Sequence, residues 1–360
     1  MKLIHHPELL NLTKELITIP STEDNKPALK EVLKIASKDL TEFTVEKFDK
    51  NQMPSLLIYN TDKRPEKFQV ILNAHLDVVP GRTDQYIPVE KNGKLYGRGS
   101  YDMKAAGAAE ILVFKEVAKK VDYPLALQLV TDEEISGDNG VGYQVEQNVL
   151  GDFVIAGEPT NFDISTEGKG LIWAKITAFG KPAHGSRPWL GDNAIWKMKK
   201  FLDTLEKELK AMNEEVWETT INLAMIETPN QTVNKVADEC SITLDIRHIP
   251  QENKQILKTI KQLMPKDFKL EILSDAPFQV AKMDSFVEKL TESIHKIADY
   301  KPNYISNTWA SDVRYYTSIG CNGVNFGPQG RGMHENEEWV DIKSLDTYYE
   351  ILKDFLLSIK

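Results

Sequence analysis

The sequence predicts an α/β protein: a mostly parallel sheet with helices on both faces, interrupted by an inserted ferredoxin-like α+β domain. Three observations carry that expectation. Short apolar runs alternate with segments of helical period, the order expected of βαβ units. Several of those runs end in His or Glu, and an open parallel sheet places its site beyond the carboxyl ends of its strands. The stretch from about 167 to 277 reads strand, helix, strand, strand, helix, strand, the order of a split βαβ motif. A chain of 360 residues also exceeds what one domain usually holds.

Residues 7–18 and 25–40 have helical periodicity, and Ser21-Thr22-Glu23-Asp24 is a helix entry. Strands are expected near 44–48, 55–59 and 68–76. Lys91-Asn92-Gly93-Lys94 carries Asn-Gly, a hairpin signal. Helical pattern resumes from Asp102 to about Lys120. Strands follow at Leu125–Thr131 and Phe153–Ala156. The inserted segment gives a strand at Leu171–Ala178, a helix over 193–210, strands at 219–226 and 239–246, a helix over 251–264 and a strand over 269–273. Helices over 282–298 and 311–319, a strand at Gly323–Phe326, a Gly-rich loop and a last helix over 342–359 complete the chain. The domains expected are therefore 1–166 with 278–360, and 167–277.

Net charge is −10, from 44 basic and 54 acidic residues, with no basic stripe, which argues against a nucleic-acid partner. No run approaches a membrane span, so no membrane partner is expected. The start, Met1-Lys2-Leu3-Ile4-His5-His6, leads into an amphipathic pattern and not into a signal-peptide core. Cys240 and Cys321 form no metal or redox motif. The expectation is a cytoplasmic protein.

The chemistry gathers at strand ends. Val70-Ile71-Leu72-Asn73-Ala74-His75-Leu76-Asp77 is an apolar strand ending in His-x-Asp. Residues i and i+2 of an extended chain share a face, so Asp77 can hold one ring nitrogen of His75 and leave the other for a metal. One such pair alone fits a solvent-facing strand end. The pattern recurs, however, at Asp132-Glu133-Glu134, at Glu158, and at Gly327-Pro328 leading to His334, with Asp102 opening a helix nearby. Two histidines and three carboxylates without a thiolate suit zinc, cobalt or manganese. Five ligands are too many for one catalytic zinc but suit two ions about 3.5–4 Å apart sharing one carboxylate. Asp102 is the natural bridge. In the pair Glu133-Glu134, one residue can ligate while its neighbour serves as general base.

These segments resemble the zinc metallopeptidase family of acetylornithine deacetylase, succinyl-diaminopimelate desuccinylase, aminoacylase and carboxypeptidase G. The matching motifs are Asn73-Ala74-His75-Leu76-Asp77, Gly97-Arg98-Gly99-Ser100-Tyr101-Asp102-Met103-Lys104, Thr131-Asp132-Glu133-Glu134, Gly157-Glu158-Pro159-Thr160 and His334, in the family's order. Tyr101 stands where the family has a small or polar residue. Glu158-Pro159-Thr160 resembles the deacylase and carboxypeptidase branches more than the aminopeptidase branch.

The resemblance implies His75 and Glu158 on one zinc, Glu134 and His334 on the other, Asp102 between them, Glu133 as base and Asp77 behind His75. It implies that the inserted domain is a lid and a homodimerisation surface, with His184 completing an active site. Arg247 would clamp a substrate carboxylate, helped by Asn234 and by N–H groups of Gly327 and Gly330. The activity implied is hydrolysis of an N-acyl amino acid or short peptide carrying a free carboxylate. A dipeptidase or carboxypeptidase is the alternative within the family. A metal-bound binding protein without catalysis is the alternative outside it, as is a structural metal site; a base beside the metals argues against both. His5, His6, His248 and His295 have no partner motif and are assigned no role.

Overall fold

A computed structural model describes residues 5–208 and 217–359. The last two positions of the helix expected over 193–210, and residues 1–4 at the start, lie outside that range. The chain divides into two compact units. The first comprises Met1–Glu167, Gln279–Ser306 and Ser311–Lys360; the second comprises Gly168–Phe278 and Asn307–Ala310.

In chain order, α1 (Pro7–Ile17) and α2 (Lys26–Ser37) precede β1 (Thr44–Lys50), β2 (Met53–Tyr59) and β3 (Phe68–His75). The hairpin of β4 (Val89–Lys91) and β5 (Lys94–Tyr96) turns at Asn92 and Gly93, both at positive φ, which is why Asn-Gly stands there. Next come α3 (Lys104–Val117), β6 (Leu125–Val130), α4 (Val141–Glu146), β7 (Gly151–Ala156) and β8 (Ile164–Gly168). The second unit follows with β9 (Gly170–Phe179), α5 (Ala194–Glu208), β10 (Thr220–Glu227), β11 (Glu239–His248), α6 (Asn253–Leu263) and β12 (Lys269–Ala276). The chain then runs through β13 (Gln279–Val280), α7 (Ser285–Ala298), β14 (Tyr304–Asn307), α8 (Val313–Ser318), β15 (Asn322–Asn325), β16 (Gly330–Arg331), β17 (Trp339–Asp341) and α9 (Ile342–Ser358).

The large sheet has the order β1-β2-β6-β3-β7-β15-β8-β13, with β14 beside β8. Its centre, β6-β3-β7-β15, is parallel, whereas β1, β2 and β8 join antiparallel. Alternation along β3 explains its place. Val70, Leu72 and Ala74 enter one apolar cluster with α1, α3 and α9. Phe68 and Ile71 enter another with Val141 of α4 and Tyr316 of α8. A strand buried on both faces reads as a continuous apolar run, which is how 70–72 appears in the sequence. Gly107 lets α3 approach closely, since a Cβ there would stand 3.2 Å from both the Ala74 Cβ and a Leu76 methyl.

A small sheet, β16-β17-β5-β4, adds to the expected hairpin two strands, β16 and β17, that the sequence pattern did not show, because they are only two and three residues long. It matters for the site: pairing of β17 with β5 brings Glu338 to Gly97, whose N–H donates to the Glu338 carbonyl at 3.1 Å.

In the second unit, β10-β11-β9-β12 form an antiparallel sheet. Ile172, Ala174 and Ile176 of β9 and Ile242, Leu244 and Ile246 of β11 share a core with Ala194, Met198 and Phe201 of α5 and Ile260 of α6. The βαββαβ order and strand arrangement are those of a ferredoxin-like fold. Among the described residues, no helix is long and apolar enough to cross a membrane.

Candidate metal centre

His75 is the last residue of β3, and Glu133, Glu134 and Glu158 follow the carboxyl ends of β6 and β7. The parallel centre of the sheet therefore delivers them to one edge. Asp102 lies just ahead of α3, and the Asp102–Met103 peptide is cis.

Two groups of potential ligands result, and Asp102 belongs to both. In one, His75 Nε2 lies 3.2 Å from Asp102 Oδ1 and 3.9 Å from Glu158 Oε1. In the other, His334 Nε2 lies 3.2 Å from Asp102 Oδ2 and 2.9 Å from Glu134 Oε2. The two carboxylate oxygens thus face two different histidines. Donors about 2.1 Å from a tetrahedral zinc stand about 3.4 Å from one another, so the residues present fit two divalent cations. Glu133 belongs to neither group.

The remaining nitrogen of His75, Nδ1, is 3.2 Å from the Asp77 backbone carbonyl and 3.6 Å from its carboxylate. Asp77 Oδ2 instead accepts the Glu134 N–H at 3.0 Å. Asp77 therefore ties the ligand on β3 to the turn carrying Glu133 and Glu134.

Electrostatics describe a site short of positive charge. Burial raises Glu158 to about 8, with Asp102 adding to the shift and His75 opposing it. Burial and the Glu158 charge push Glu133 well up, and burial and the Asp102 charge raise Glu134. Hydrogen bonds to Asp102 and Glu134 raise His334 to about 10. For His75, burial works against the charged form, but Asp102, Asp77 and Glu158 outweigh it and hold its pKa well above the usual range. Burial likewise opposes ionisation of Asp102, but the two histidines outweigh it and hold that carboxyl well below its ordinary value.

Glu338, which the sequence does not single out, fixes the loop that presents Asp102. One oxygen accepts from Tyr101 N–H (2.8 Å) and Asp102 N–H (3.0 Å). The other accepts from Gly99 N–H (3.1 Å) and pairs with Arg98 Nη1 (2.8 Å). Both side chains of this ion pair are buried. Glu338 sits in the run Glu335-Asn336-Glu337-Glu338, which reads as solvated acid; only its distant partners reveal it.

Other expected residues divide by unit. In the second unit, the Gly185 N–H donates to the Asn234 carbonyl at 2.6 Å, so His184 and Asn234 are neighbours. The Ser186 N–H donates to His184 Nδ1 at 3.2 Å, and the Ser186 hydroxyl lies 2.8 Å from the same nitrogen. Arg247 donates to both oxygens of Asp245, at 2.9 and 3.3 Å, so a substrate carboxylate would compete with that pair. The expectation for Gly327 and Gly330 is corrected. Their N–H groups are engaged within the fold, by Thr160 Oγ1 and Asn161 Oδ1, each at 2.9 Å. Those acceptors lie more than 160 residues upstream, beyond the reach of local pattern.

A sequence profile described as Peptidase family M20/M25/M40 matches residues 71–358. Among curated relatives, succinyl-diaminopimelate desuccinylase of Buchnera aphidicola subsp. Cinara cedri is 28% identical over 383 residues, covering 98% of this chain and 100% of that one. Among solved structures, the aminopeptidase PepT of Bacillus cereus aligns with a TM-score of 0.78 at 19% identity, covering 98% of each chain. The M20 metallo-carboxypeptidase Sso-CP2 of Sulfolobus solfataricus aligns with a TM-score of 0.80 at 17% identity, covering 98% of this chain and 99% of that one. At these identities the structures speak for the fold.

A pH dependence follows from the raised groups. The stabilisation associated with the Glu158 proton is complete below its ordinary 4.5 and is lost as pH rises through about 8. That of His334 is complete below 6.5 and is lost through about 10. A cation needs both groups deprotonated. The chelated protein should therefore lose thermal stability between about pH 5.5 and 8, while the gain in Tm on adding zinc grows. Scanning calorimetry at both pH values checks this; an equal or larger zinc shift at the lower pH contradicts it.

Proposed function

The chain belongs to peptidase family M20/M25/M40, and from that premise we propose a di-zinc deacylase that cleaves the amide bond of an N-acyl amino acid with a free carboxylate. The chain is a metallohydrolase acting on amide bonds. The observation that carries the deacylase reading is Asp102, whose two oxygens face two His/Glu pairs, with the Glu133 carboxylate close by and in neither pair. A binding protein or a structural metal site has no use for that extra carboxylate. The desuccinylase relative supports an N-acyl substrate.

Zinc is the proposed metal, with cobalt or manganese as substitutes the same donors accept. His75, Asp102 and Glu158 would hold one ion, and Asp102, Glu134 and His334 the other. When bound, the ions supply Lewis acidity to the amide carbonyl and to the attacking water. Glu133 takes the proton of that water and passes it to the leaving amine. His184 donates from Nε2 to the tetrahedral oxyanion. Arg247, exchanging Asp245 for substrate, receives the carboxylate, and Asn234 helps to hold the substrate in register.

The second unit supports an assembly in which these roles come from two chains. Arg247 pairs with Leu171 in the β11–β9 register, and Glu239 pairs with Phe179 at the opposite end. Leu171 and Phe179 stand about 26 Å apart at roughly 3.3 Å per residue. Asn234 and His184 lie beyond the Phe179 end of this register and Arg247 close to the other. One substrate touched by both ends therefore calls for a second copy. Edge strand β10 exposes Leu223, Met225 and Ile226, a surface suited to an isologous dimer. The proposal also places the enzyme in the cytoplasm, supported by two buried cysteines that remain free.

A panel of N-acetyl and N-succinyl amino acids and dipeptides, assayed with zinc or cobalt, separates the deacylase from a dipeptidase or carboxypeptidase. With the best substrate, Glu133→Gln should lower kcat by about 10²–10⁴-fold while both metals stay bound. Wild-type turnover in that variant would remove Glu133 from the base role. For the dimer, inactive His184→Ala and inactive Glu133→Gln chains are mixed under subunit exchange. A histidine acting in the partner's site predicts that activity reappears, because one site of each mixed dimer is intact. An exchanged mixture that stays inactive contradicts it.

A further inference from the structure

Glu133 has a neighbour that the reaction outlined above does not use. Arg314, near the start of α8, is buried with Nη1 4.0 Å from Glu133 Oε1. Its Nη2 donates to the carbonyl of Ser136. The Tyr315 hydroxyl lies 2.6 Å from the same carbonyl and 2.7 Å from Asp138 Oδ1. Asp312 packs against the next residue: a Cβ on Gly137 would stand 2.1 Å from Asp312 Oδ1.

The turn held in this way is poorly held by itself. Glu133–Ile135 is a single 3-10 turn, ended by Ser136 at φ 114° and Gly137 at φ 70°. A serine at such a φ is disfavoured and persists only where its surroundings fix it. Two side chains on one carbonyl provide that fixation. The start of α8 is itself anchored, since Ser311 Oγ lies 2.7 Å from Asn325 Oδ1 and 3.1 Å from Gln279 Oε1 in a buried network. From the other side, Asp132 Oδ2 accepts the N–H groups of Asn139 (2.7 Å) and Gly140 (3.0 Å) and closes the loop.

We propose that Arg314 is a positioning residue for the base: its guanidinium clamps the Ser136 carbonyl with one arm and sets the place of the Glu133 carboxylate with the other, assisted by Tyr315. The planar fork explains why arginine stands here. Its N–H groups diverge in fixed directions, one to the Ser136 carbonyl and another toward the Glu133 carboxylate, which a lysine ammonium on a flexible stem does not reproduce. This inference rests on the reading of Glu133 as base.

The test uses the zinc-loaded full chain and the substrate the panel selects. Arg314→Lys should lower kcat about tenfold and Arg314→Ala about a hundredfold, with KM within about threefold and two zinc ions retained. These losses stand at or below the lower end of the roughly 10²–10⁴-fold that general acid–base catalysis contributes, as expected of a residue that acts through the base. Guanidinium ion at millimolar concentration should restore part of kcat in Arg314→Ala and none in Glu133→Gln. Independently of activity, amide hydrogen exchange should rise over residues 133–140 in both arginine variants and in Tyr315→Phe, which removes the second group on the Ser136 carbonyl. Unchanged exchange there, a rise in KM with kcat preserved, or a loss of activity that tracks loss of zinc would each overturn the proposal. If Arg314→Ala does not fold, Arg314→Lys and Tyr315→Phe carry the same readings. Wild-type turnover in Glu133→Gln would instead overturn the base assignment while leaving the exchange result for Arg314 standing.

Discussion

The arrangement of the catalytic unit depends on one carboxylate, Asp102, shared between two histidines on opposite oxygens. Two further carboxyl groups, Glu134 and Glu158, meet it there, and Glu133 lies near both of them. Two like charges about 4 Å apart repel by about 4 kcal/mol at an effective dielectric near 20. A domain has only about 5–15 kcal/mol of net stability. Without cations the centre answers in the only way open to it: protons are retained on Glu158 and His334 far above their ordinary range. On the proposed function, two divalent cations would replace those protons with fixed positive charge and leave Glu133 to serve as the base.

The fold makes such a concentration of charge possible by burying the groups that support it. β3, packed on both faces, fixes His75. Glu338 takes three N–H groups of the Gly99–Asp102 loop and the Arg98 guanidinium, so the Asp102 carboxylate stands on a loop held at both ends. Asp77 links β3 to the turn after β6 through the Glu134 N–H. These contacts join segments up to about 240 residues apart in sequence, and each orders a loop that has no regular ladder of its own.

That separation explains what the sequence could and could not convey. The central strands were legible because burial on both faces writes short apolar runs, as in Val70–Leu72 and Phe153–Ala156. His75, Asp102, Glu134, Glu158 and His334 were legible because polar residues at the ends of such runs are conspicuous, and their assignment to two sets came from family resemblance. The strands β13, β14, β16 and β17 are two to four residues long, too short for an alternation to register. Glu338 and Arg314 were hidden for a related reason. One lies in an acidic run and the other beside Val313 and Tyr315, and only their partners across the fold distinguish them from a solvated acid and a surface arginine. Gly327 and Gly330 show the converse: a Gly-rich loop suggests free N–H groups, but Thr160 and Asn161 already engage them.

The central claim, that Asp102 stands between two cations, is tested most directly by anomalous X-ray diffraction at the zinc edge on crystals of the zinc-loaded protein. The account predicts two peaks in each chain, one adjoining His75 and Glu158 and the other adjoining Glu134 and His334, each next to a different oxygen of Asp102. A single peak at full occupancy, or two peaks of which one does not touch Asp102, would contradict it.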